Sequence, residues 1–229
     1  EISEAIDFAR WYALSAAELD GLGGEDLRIE QVALTLVTPP WNFPVAIAVG
    51  GVLAALAAGC AVVMKPSPQA ARCGELVASH VREALAAAGH DADLVQIVSV
   101  PENEVGAHLV AHGGVDQVVL TGALETAELF AQWRSGRAGQ GGPRVFAETS
   151  GKNAIIVTPS ADLDLAVADV VRSAFGHAGQ KCSAASLVIL VGSVASSERF
   201  RRQLVDAVRT LRVGYPQAAT TQMGPRFPQ

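Results

Sequence analysis

Cysteine, aromatic residues and clustered positive charge are all scarce in this chain. The 229 residues contain three cysteines, Cys60, Cys73 and Cys182, which are widely spaced and odd in number. This pattern excludes a disulfide framework and has no zinc-ligand spacing, so we expect no bound metal and a reducing cytoplasm. Lys and Arg number 17 against 23 Asp and Glu, and no basic stripe occurs, which argues against a nucleic-acid partner.

Aromatic residues make up 5% of the sequence, whereas hydrophobic residues of all kinds make up 50%. That share is enough for a packed core, and the length suits one large domain or one and a half ordinary ones. One stretch, Val45–Met64, carries no charge over 20 residues and would be long enough to cross a bilayer. Gly50, Gly51 and Gly59 interrupt it and its last residues favour a strand, so we interpret it as a buried helix followed by a buried parallel strand.

Helix-like and strand-like segments alternate along the chain. Helices are predicted over 1–19, 45–58, 69–88, 104–112, 123–134, 162–175 (or from 164) and 197–211, strands over 31–37, 60–64, 94–98, 117–120, 145–148, 153–157 and 187–191, and loops over 21–26 and the glycine-rich 136–143. This alternation indicates βαβ units, and therefore an α/β fold with a mostly parallel sheet. Ligands of such sheets bind at the carboxyl ends of the strands, where the loops 38–44, 65–68 and 121–122 lie.

These loops carry candidate nucleotide-binding residues, although the dinucleotide fingerprint G-x-G-x-x-G is absent. Thr121-Gly122 precedes a predicted helix whose N–H groups could bind a pyrophosphate, but strand–Gly–helix turns are also common for structural reasons. Lys65 could reach ribose hydroxyls or phosphate, and the alternative is a solvated lysine at the end of a strand. The prolines of 38–44 make a stiff loop, which fixes Trp41 and Asn42.

Cys182 is the first candidate for catalysis. It follows Gly-Gln-Lys, and Gly176 and Gly179 would allow the backbone to turn sharply and present the thiol. Lys181 brings a positive charge that favours a thiolate. The alternative is a buried structural cysteine, because cysteine is among the most buried residue types.

Glu148 and Asn42 are the other two candidates. Glu148 ends an apolar strand and, if buried, could act as a base near neutral pH, whereas the alternative is an ordinary loop glutamate. Asn42 could donate its side-chain N–H to an oxyanion, and the alternative is a structural Asx-turn.

Five motifs that contain these residues occur in a fixed order. They are Pro40-Trp-Asn-Phe-Pro44, Met64-Lys-Pro-Ser67, Leu120-Thr-Gly122, Glu148-Thr-Ser-Gly-Lys152 and Phe175-x3-Gly-Gln-Lys-Cys-Ser-Ala184. In this order they resemble the aldehyde dehydrogenase superfamily over essentially the whole chain, and two of them are most similar to its 1-pyrroline-5-carboxylate dehydrogenase branch. The resemblance implies a truncated aldehyde dehydrogenase-like fold. Residues 1–148 would form a Rossmann-like NAD(P)-binding domain that lacks its N-terminal part, and 149–229 would begin an α/β catalytic domain.

The resemblance also assigns roles to single residues. Cys182 would attack an aldehyde to give a thiohemiacetal, and Asn42 with the Cys182 N–H would hold the oxyanion. Hydride would pass to NAD, with NADP as the alternative, and Glu148 would activate the water that hydrolyses the resulting thioester. The implied cofactor contacts are Thr38, Pro39, Trp41, Lys65, Ser67, Gly122 and Ala123, and the implied substrate contacts are Phe175, Lys181 and Ser183.

The implied substrate is L-glutamate γ-semialdehyde, oxidised to L-glutamate in proline catabolism, because Lys181 and Ser183 suit its carboxylate. Two alternatives stay open: a dehydrogenase for another carboxylate-bearing aldehyde, such as succinate semialdehyde, and an inactive nucleotide-binding fragment. The resemblance further implies a homo-oligomer without a membrane span, and fusion to a proline dehydrogenase is an open alternative.

The chain departs from the family pattern at three places. Ala123 stands where the family often has a hydroxyl residue, which removes one phosphate contact. Pro68 stands where it often has an acidic residue that contacts the ribose, so this position does not favour NAD over NADP. The chain ends at Gln229, before the family's Glu-x-Phe-Gly motif, and we therefore expect a fragment.

Overall fold

The computed structural model of the chain describes residues 1–22, 32–101, 103–135 and 142–226, without the side chains of Asp20 and Ser135. The first residue of the strand predicted over 31–37 lies outside the described residues. So do most of the predicted loop 21–26 and most of the glycine-rich segment 136–143. The chain divides into two compact units, Glu1–Thr149 and Ser150–Gln229. The functions assigned to the two parts stay predictions.

The first unit is built on a five-stranded parallel sheet, which confirms the predicted α/β fold with a parallel sheet. Its elements are α1 (Ile2–Asp20), β1 (Leu34–Thr38), α2 (Ala46–Ala57), β2 (Ala61–Met64), α3 (Ala71–Ala87), β3 (Val95–Ile97), α4 (Glu104–Val110), β4 (Gln117–Gly122), α5 (Leu124–Ser135) and β5 (Arg144–Thr149). The strand order is β3-β2-β1-β4-β5, with β1 at the centre.

Helices cover both faces of this sheet because neighbouring residues of a strand point to opposite sides. On one face, Val37 of β1 packs in a cluster with residues of α2 and α3, among them Val52 and Val77. On the other face, Leu36 packs with residues of α4 and α5, among them Val110 and Phe130. Burial on both sides explains why the central strands consist of consecutive β-branched and aliphatic residues.

The uncharged stretch Val45–Met64 is a short helix followed by a strand, as predicted. Helix α2 ends at Ala57, Gly59 adopts a left-handed backbone with a φ of 81°, and β2 begins at Ala61. The Cys60 N–H donates to the Ala55 carbonyl (2.9 Å), which closes the helix end. Within the described ranges, no helix combines the length and the apolar character that a membrane span requires.

The second unit contains one βαβ element and a following helix. Its elements are β6 (Asn153–Val157), α6 (Leu163–Phe175), β7 (Ala185–Leu190) and α7 (Glu198–Arg209), and β6 pairs with β7 in parallel. Val157, Val167, Val194 and Phe200 form its core. The bounds of β6 match the predicted strand 153–157.

Hydrogen bonds from side chains fix both helices of this unit. The Asp162 carboxylate caps α6 by accepting from the N–H of Asp164 (2.9 Å), which settles which aspartate opens the helix. A hydrogen bond from Gln203, and then a hydrogen bond and the positive charge from Arg199, hold the pKa of Asp164 below its ordinary value. The two helices are thereby joined by a polar contact at their surface.

Candidate active site

The first unit brings nine of the predicted site residues to one edge of its sheet. Strand β1 ends at Thr38, β2 at Met64, β4 at Gly122 and β5 at Thr149. Because all these strands are parallel and Thr38 pairs with Leu120 while Thr121 pairs with Glu148, their carboxyl ends lie side by side. The residues on or just after these ends are Thr38, Pro39, Trp41, Asn42, Lys65, Ser67, Gly122, Ala123 and Glu148.

Lys65 is buried at this edge, with 6% of its surface exposed. Its backbone N–H donates to the Val37 carbonyl (2.9 Å), which extends the β1–β2 pairing beyond the end of β2. The alternative of a solvated lysine is therefore wrong. The Lys65 ammonium group is a hydrogen-bond donor, and ribose or phosphate oxygens can accept from such a group.

Thr38 is equally buried, and its hydroxyl donates to the carbonyl of Val119 (3.2 Å). Thr38 and Pro39 line a partly open cavity of about 350 Å³ between the sheet and helices α1 and α2. The remaining lining is largely apolar, including Phe8 and Ile47, whereas Lys65 and Gly122 lie outside this cavity. Two of the seven predicted cofactor contacts therefore border an apolar cavity.

The start of helix α5 supplies backbone donors. The first helical hydrogen bond described there runs from the Ala127 N–H to the Ala123 carbonyl (3.2 Å), so the N–H groups of the first turn point out of the helix. A Cβ added at Gly122 would meet the Leu120 side chain at 3.5 Å, which is an ordinary van der Waals contact. Glu125 lies in the first turn, where its negative charge opposes a phosphate.

These residues fit a dinucleotide in their donor chemistry. The edge offers a buried cation at Lys65, N–H groups at the start of α5 and a hydroxyl at Ser67, which donates to the side-chain oxygen of Gln69. The Glu125 carboxylate opposes such a ligand. The sequence motifs did not indicate that residue.

Asn42 is half-buried in a loop that is held at both ends. Strand β1 fixes the loop before Pro39. At the other end, the Glu1 carboxylate accepts from the N–H groups of Val45 (2.9 Å) and Ala46 (3.2 Å), where α2 begins. This contact from Glu1 has no sequence signal, because the two segments are 44 residues apart.

Glu148 occupies the last but one position of β5 and is exposed to solvent. The prediction that Glu148 acts as a base required a buried carboxylate, and this condition is not met. The carboxylate still lies at the carboxyl edge of the sheet, because β5 pairs in register with β4 up to Thr149. Any role as a base depends on its access to water rather than on burial.

Cys182 belongs to the second unit and is exposed, as are Lys181 and Ser183 on either side of it. Cys60 is buried and Cys73 is half-buried. The alternative of a buried structural cysteine is therefore wrong for Cys182.

The turn before Cys182 differs from the predicted one. Gly179 has a positive φ of 69°, as expected, but Gly176 has an ordinary negative φ of −55°. The left-handed residues that precede Gly179 are His177 (φ 55°) and Ala178 (φ 57°), which carry side chains. This conformation costs a residue with a Cβ about 1–2 kcal/mol. The segment therefore reaches Cys182 through a strained left-handed turn, and Phe175, half-buried at the end of α6, precedes it.

Asn153 holds the backbone on the other side of Cys182. Its side-chain N–H groups donate to the carbonyl oxygens of Cys182 and of Ala184, the latter at 3.1 Å. Sequence reasoning placed Asn153 at the start of a strand but assigned it no role. Cys182 lies in the second unit and Asn42 and Glu148 lie in the first, and their meeting at one carbon atom stays a prediction.

Comparisons with known proteins agree on one family. The model of the aldehyde dehydrogenase family matches residues 1–229. A 1-pyrroline-5-carboxylate dehydrogenase of Geobacillus thermodenitrificans is 36% identical over 241 aligned residues, which cover 100% of this chain and 45% of that protein.

Solved structures give the same result. Proline utilization A (PutA) of Corynebacterium freiburgense is 54% identical with a TM-score of 0.85, over 97% of this chain and 22% of that one. A variant of the 1-pyrroline-5-carboxylate dehydrogenase of Thermus thermophilus is 33% identical with a TM-score of 0.83, over 98% of this chain and 44% of that one. The chain thus spans less than half the length of these relatives.

Proposed function

Because the chain belongs to the aldehyde dehydrogenase family, we propose that the protein oxidises an aldehyde to a carboxylate with Cys182 as the nucleophile. The observation that carries this proposal is the exposure of Cys182 at the end of a strained turn, with a cation and a hydroxyl on either side. A thiol is nucleophilic as the thiolate, and an exposed thiol is accessible to the aldehyde.

Residues of this chain are assigned to each step of the proposed reaction. The Cys182 sulfur forms a bond to the aldehyde carbon, and the oxyanion of the resulting thiohemiacetal accepts hydrogen bonds from the Asn42 side chain and the Cys182 N–H. A bound nicotinamide supplies the acceptor for the hydride that leaves this carbon. Glu148, which is in contact with solvent, takes a proton from the water that attacks the thioester, and the thiolate is released as the carboxylate forms.

The proposed substrate is L-glutamate γ-semialdehyde. Relatives named 1-pyrroline-5-carboxylate dehydrogenase support it, as does the chemistry beside the nucleophile. Lys181 and Ser183 are exposed and can bind the substrate's carboxylate through a charge-assisted hydrogen bond and a hydroxyl donor, while Phe175 packs against the aliphatic part. The reaction would then belong to proline catabolism.

The proposed cofactor is NAD or NADP, held by the residues at the carboxyl edge of the first unit's sheet. Lys65 would bind the adenosine ribose, and Gly122, Ala123 and the start of α5 the pyrophosphate. Pro68 is exposed at the start of the short turn that leads into α3 and offers no carboxylate to a ribose hydroxyl. A fusion to a proline dehydrogenase belongs to the same proposal, because relatives include a bifunctional PutA protein. The homo-oligomer that the resemblance implies stays a prediction.

The test is an NAD(P)H absorbance assay of the purified protein with glutamate γ-semialdehyde and succinate semialdehyde. We expect turnover with the first to exceed that with the second, and Cys182→Ala to abolish it while Cys73→Ala leaves it unchanged. Lys181→Ala should raise the KM for glutamate semialdehyde more than the KM for an uncharged aldehyde. Turnover that survives Cys182→Ala would refute the proposal, and equal KM effects would refute the carboxylate assignment.

A further inference from the structure

We propose that Asn153 is a positioning residue that aims the Cys182 thiol. The inference rests on the proposed function for its kinetic consequence, but its structural basis is independent of that function. Asn153 is the first residue of β6 and is half-buried. Its side-chain amide has two N–H donors, and both are used, one on the Cys182 carbonyl and one on the Ala184 carbonyl.

The pairing of β6 with β7 places this side chain against the cysteine segment. Asn153 pairs with Ala185 and Ala154 pairs with Leu187, so Ser186 is an extra residue on β7. A bulge of this kind bends the strand and redirects the side chains beside it. The side-chain amide of Asn153 lies against the segment that leads into β7. It contacts the carbonyl groups of the first and the third residue after Lys181.

Two of the other backbone contacts of this segment are local. The Gln180 N–H donates to the His177 carbonyl (3.1 Å) and the Ala184 N–H to the Lys181 carbonyl (3.1 Å), each closing a turn of four residues. These bonds shape the turn but do not attach it to the sheet. Asn153 lies 29 residues away in sequence from Cys182 and ties the turn to the start of β6.

The two carbonyl groups held by Asn153 enclose Ser183. A peptide unit is planar, so holding the Cys182 carbonyl also fixes the direction of the Ser183 N–H and restricts the ψ angle of Cys182. That angle sets the direction of the Cα–Cβ bond of Cys182, which carries the sulfur, relative to the held peptide plane. Holding the Ala184 carbonyl likewise fixes the peptide plane that follows Ala184, so the backbone is held on both sides of Ser183. The Ser183 hydroxyl is proposed to contact the substrate.

Loss of this tie should lower kcat more than it changes cofactor binding, because a nucleophile misplaced by about 1 Å can cost roughly 100-fold in rate. In Asn153→Ala we expect kcat for the aldehyde to fall by about 10- to 100-fold and the KM for the nicotinamide cofactor to stay within about twofold. Asn153→Ser, which is too short to reach both carbonyls but keeps a polar group, should behave in the same way.

The matched control is Asn103→Ala. Asn103 also uses its side chain on the backbone, since its oxygen accepts from the Val105 N–H (3.0 Å) at the start of α4 in the first unit. Its loss should reduce stability by a similar amount without changing kcat. If a loss of stability alone lowered kcat, both variants would show the same fall in kcat.

The experiment that closes the argument is hydrogen exchange followed by mass spectrometry, which needs no activity. We expect the peptide over 180–186 to exchange about three- to tenfold faster in Asn153→Ala than in the wild type, and to be unchanged in Asn103→Ala. Unchanged exchange in this peptide would overturn the inference, as would equal losses of kcat in the two variants. If the wild type itself shows no dehydrogenase activity, the proposed function fails. The exchange result still decides whether Asn153 holds the cysteine segment in place.

Discussion

Helix α2 packs tightly against the central strand of the first unit at Gly51, and this contact gives a sharp test of the packing. A Cβ added there would lie 2.7 Å from the Val37 Cγ1. Carbon atoms in van der Waals contact are about 3.5–4.0 Å apart, so one of the two groups must move by roughly 1 Å. Val37 is 2% exposed, and its strand is held between β2 and β4, so its backbone cannot move away from α2; its side chain can turn only towards the cavity that it lines.

The neighbouring Gly50 provides the matched control. A Cβ there would lie 3.2 Å from the Phe8 ring, which is only half-buried and can shift. Both substitutions gain about 1 kcal/mol from the higher helix propensity of alanine. Overpacking against Val37 costs about 1–3 kcal/mol. Gly50→Ala should therefore be neutral or stabilising, whereas Gly51→Ala should be about 1–2 kcal/mol less stable than Gly50→Ala.

Denaturation by urea, followed by tryptophan fluorescence, measures this difference. All three tryptophans of the sequence, Trp11, Trp41 and Trp133, lie in the first unit. In a Val37→Ala background, which removes the clashing Cγ1 methyl group, Gly51→Ala should become stabilising. An equal effect of Gly51→Ala in both backgrounds would refute the reasoning, as would a Gly50→Ala variant that is the less stable of the two.

Three further predictions follow from other parts of the molecule. The pKa of Asp164 is lowered from 3.8, so the stability that its contacts contribute is present above that value and lost as the pH falls below it. Asp164→Asn should lower Tm at neutral pH, and the difference in Tm between the variant and the wild type should become smaller toward pH 3. A difference in Tm that does not change with pH would contradict this. Ala178→Gly should leave the free energy of unfolding within about 0.5 kcal/mol of the wild-type value, because relief of the left-handed strain offsets the entropy cost and the lost methyl contact. Ala168→Gly in α6, where the backbone is helical, should lower the free energy of unfolding by about 1 kcal/mol. Glu125→Gln should tighten NAD+ binding by about two- to fivefold in a calorimetric titration, and Glu128→Gln, one turn further along α5, should change it less.

The alternation of strands and helices was readable from the sequence because a buried parallel strand has a distinctive composition. Asn153–Val157 and the helix capped by Asp162 appeared where predicted, since both depend on local patterns. The position of Lys65 at the end of β2 was also predictable, but its burial was not. Burial depends on what packs over the strand end, and no pattern within the strand records that.

Contacts between distant segments escaped the sequence analysis for the same reason. The Glu1 carboxylate at the start of α2 and the Asn153 amide on the cysteine segment each join residues far apart in sequence. The left-handed turn was assigned to glycine because glycine adopts positive φ at least cost, yet His177 and Ala178 also adopt it. The sequence analysis made Glu148 a candidate base on the condition that it is buried, but β5 is an edge strand of the sheet, and its end is exposed.

The most direct test of the account is to trap the covalent intermediate on the protein. Glu148→Gln should slow hydrolysis of the thioester, so incubation with NAD+ and glutamate γ-semialdehyde should add the mass of the acyl group to the protein. We predict that peptide mass spectrometry locates this mass on Cys182 and that it does not form without NAD+. An adduct on Cys60 or Cys73, or no adduct in a protein that still turns over the aldehyde, would contradict the central role of Cys182.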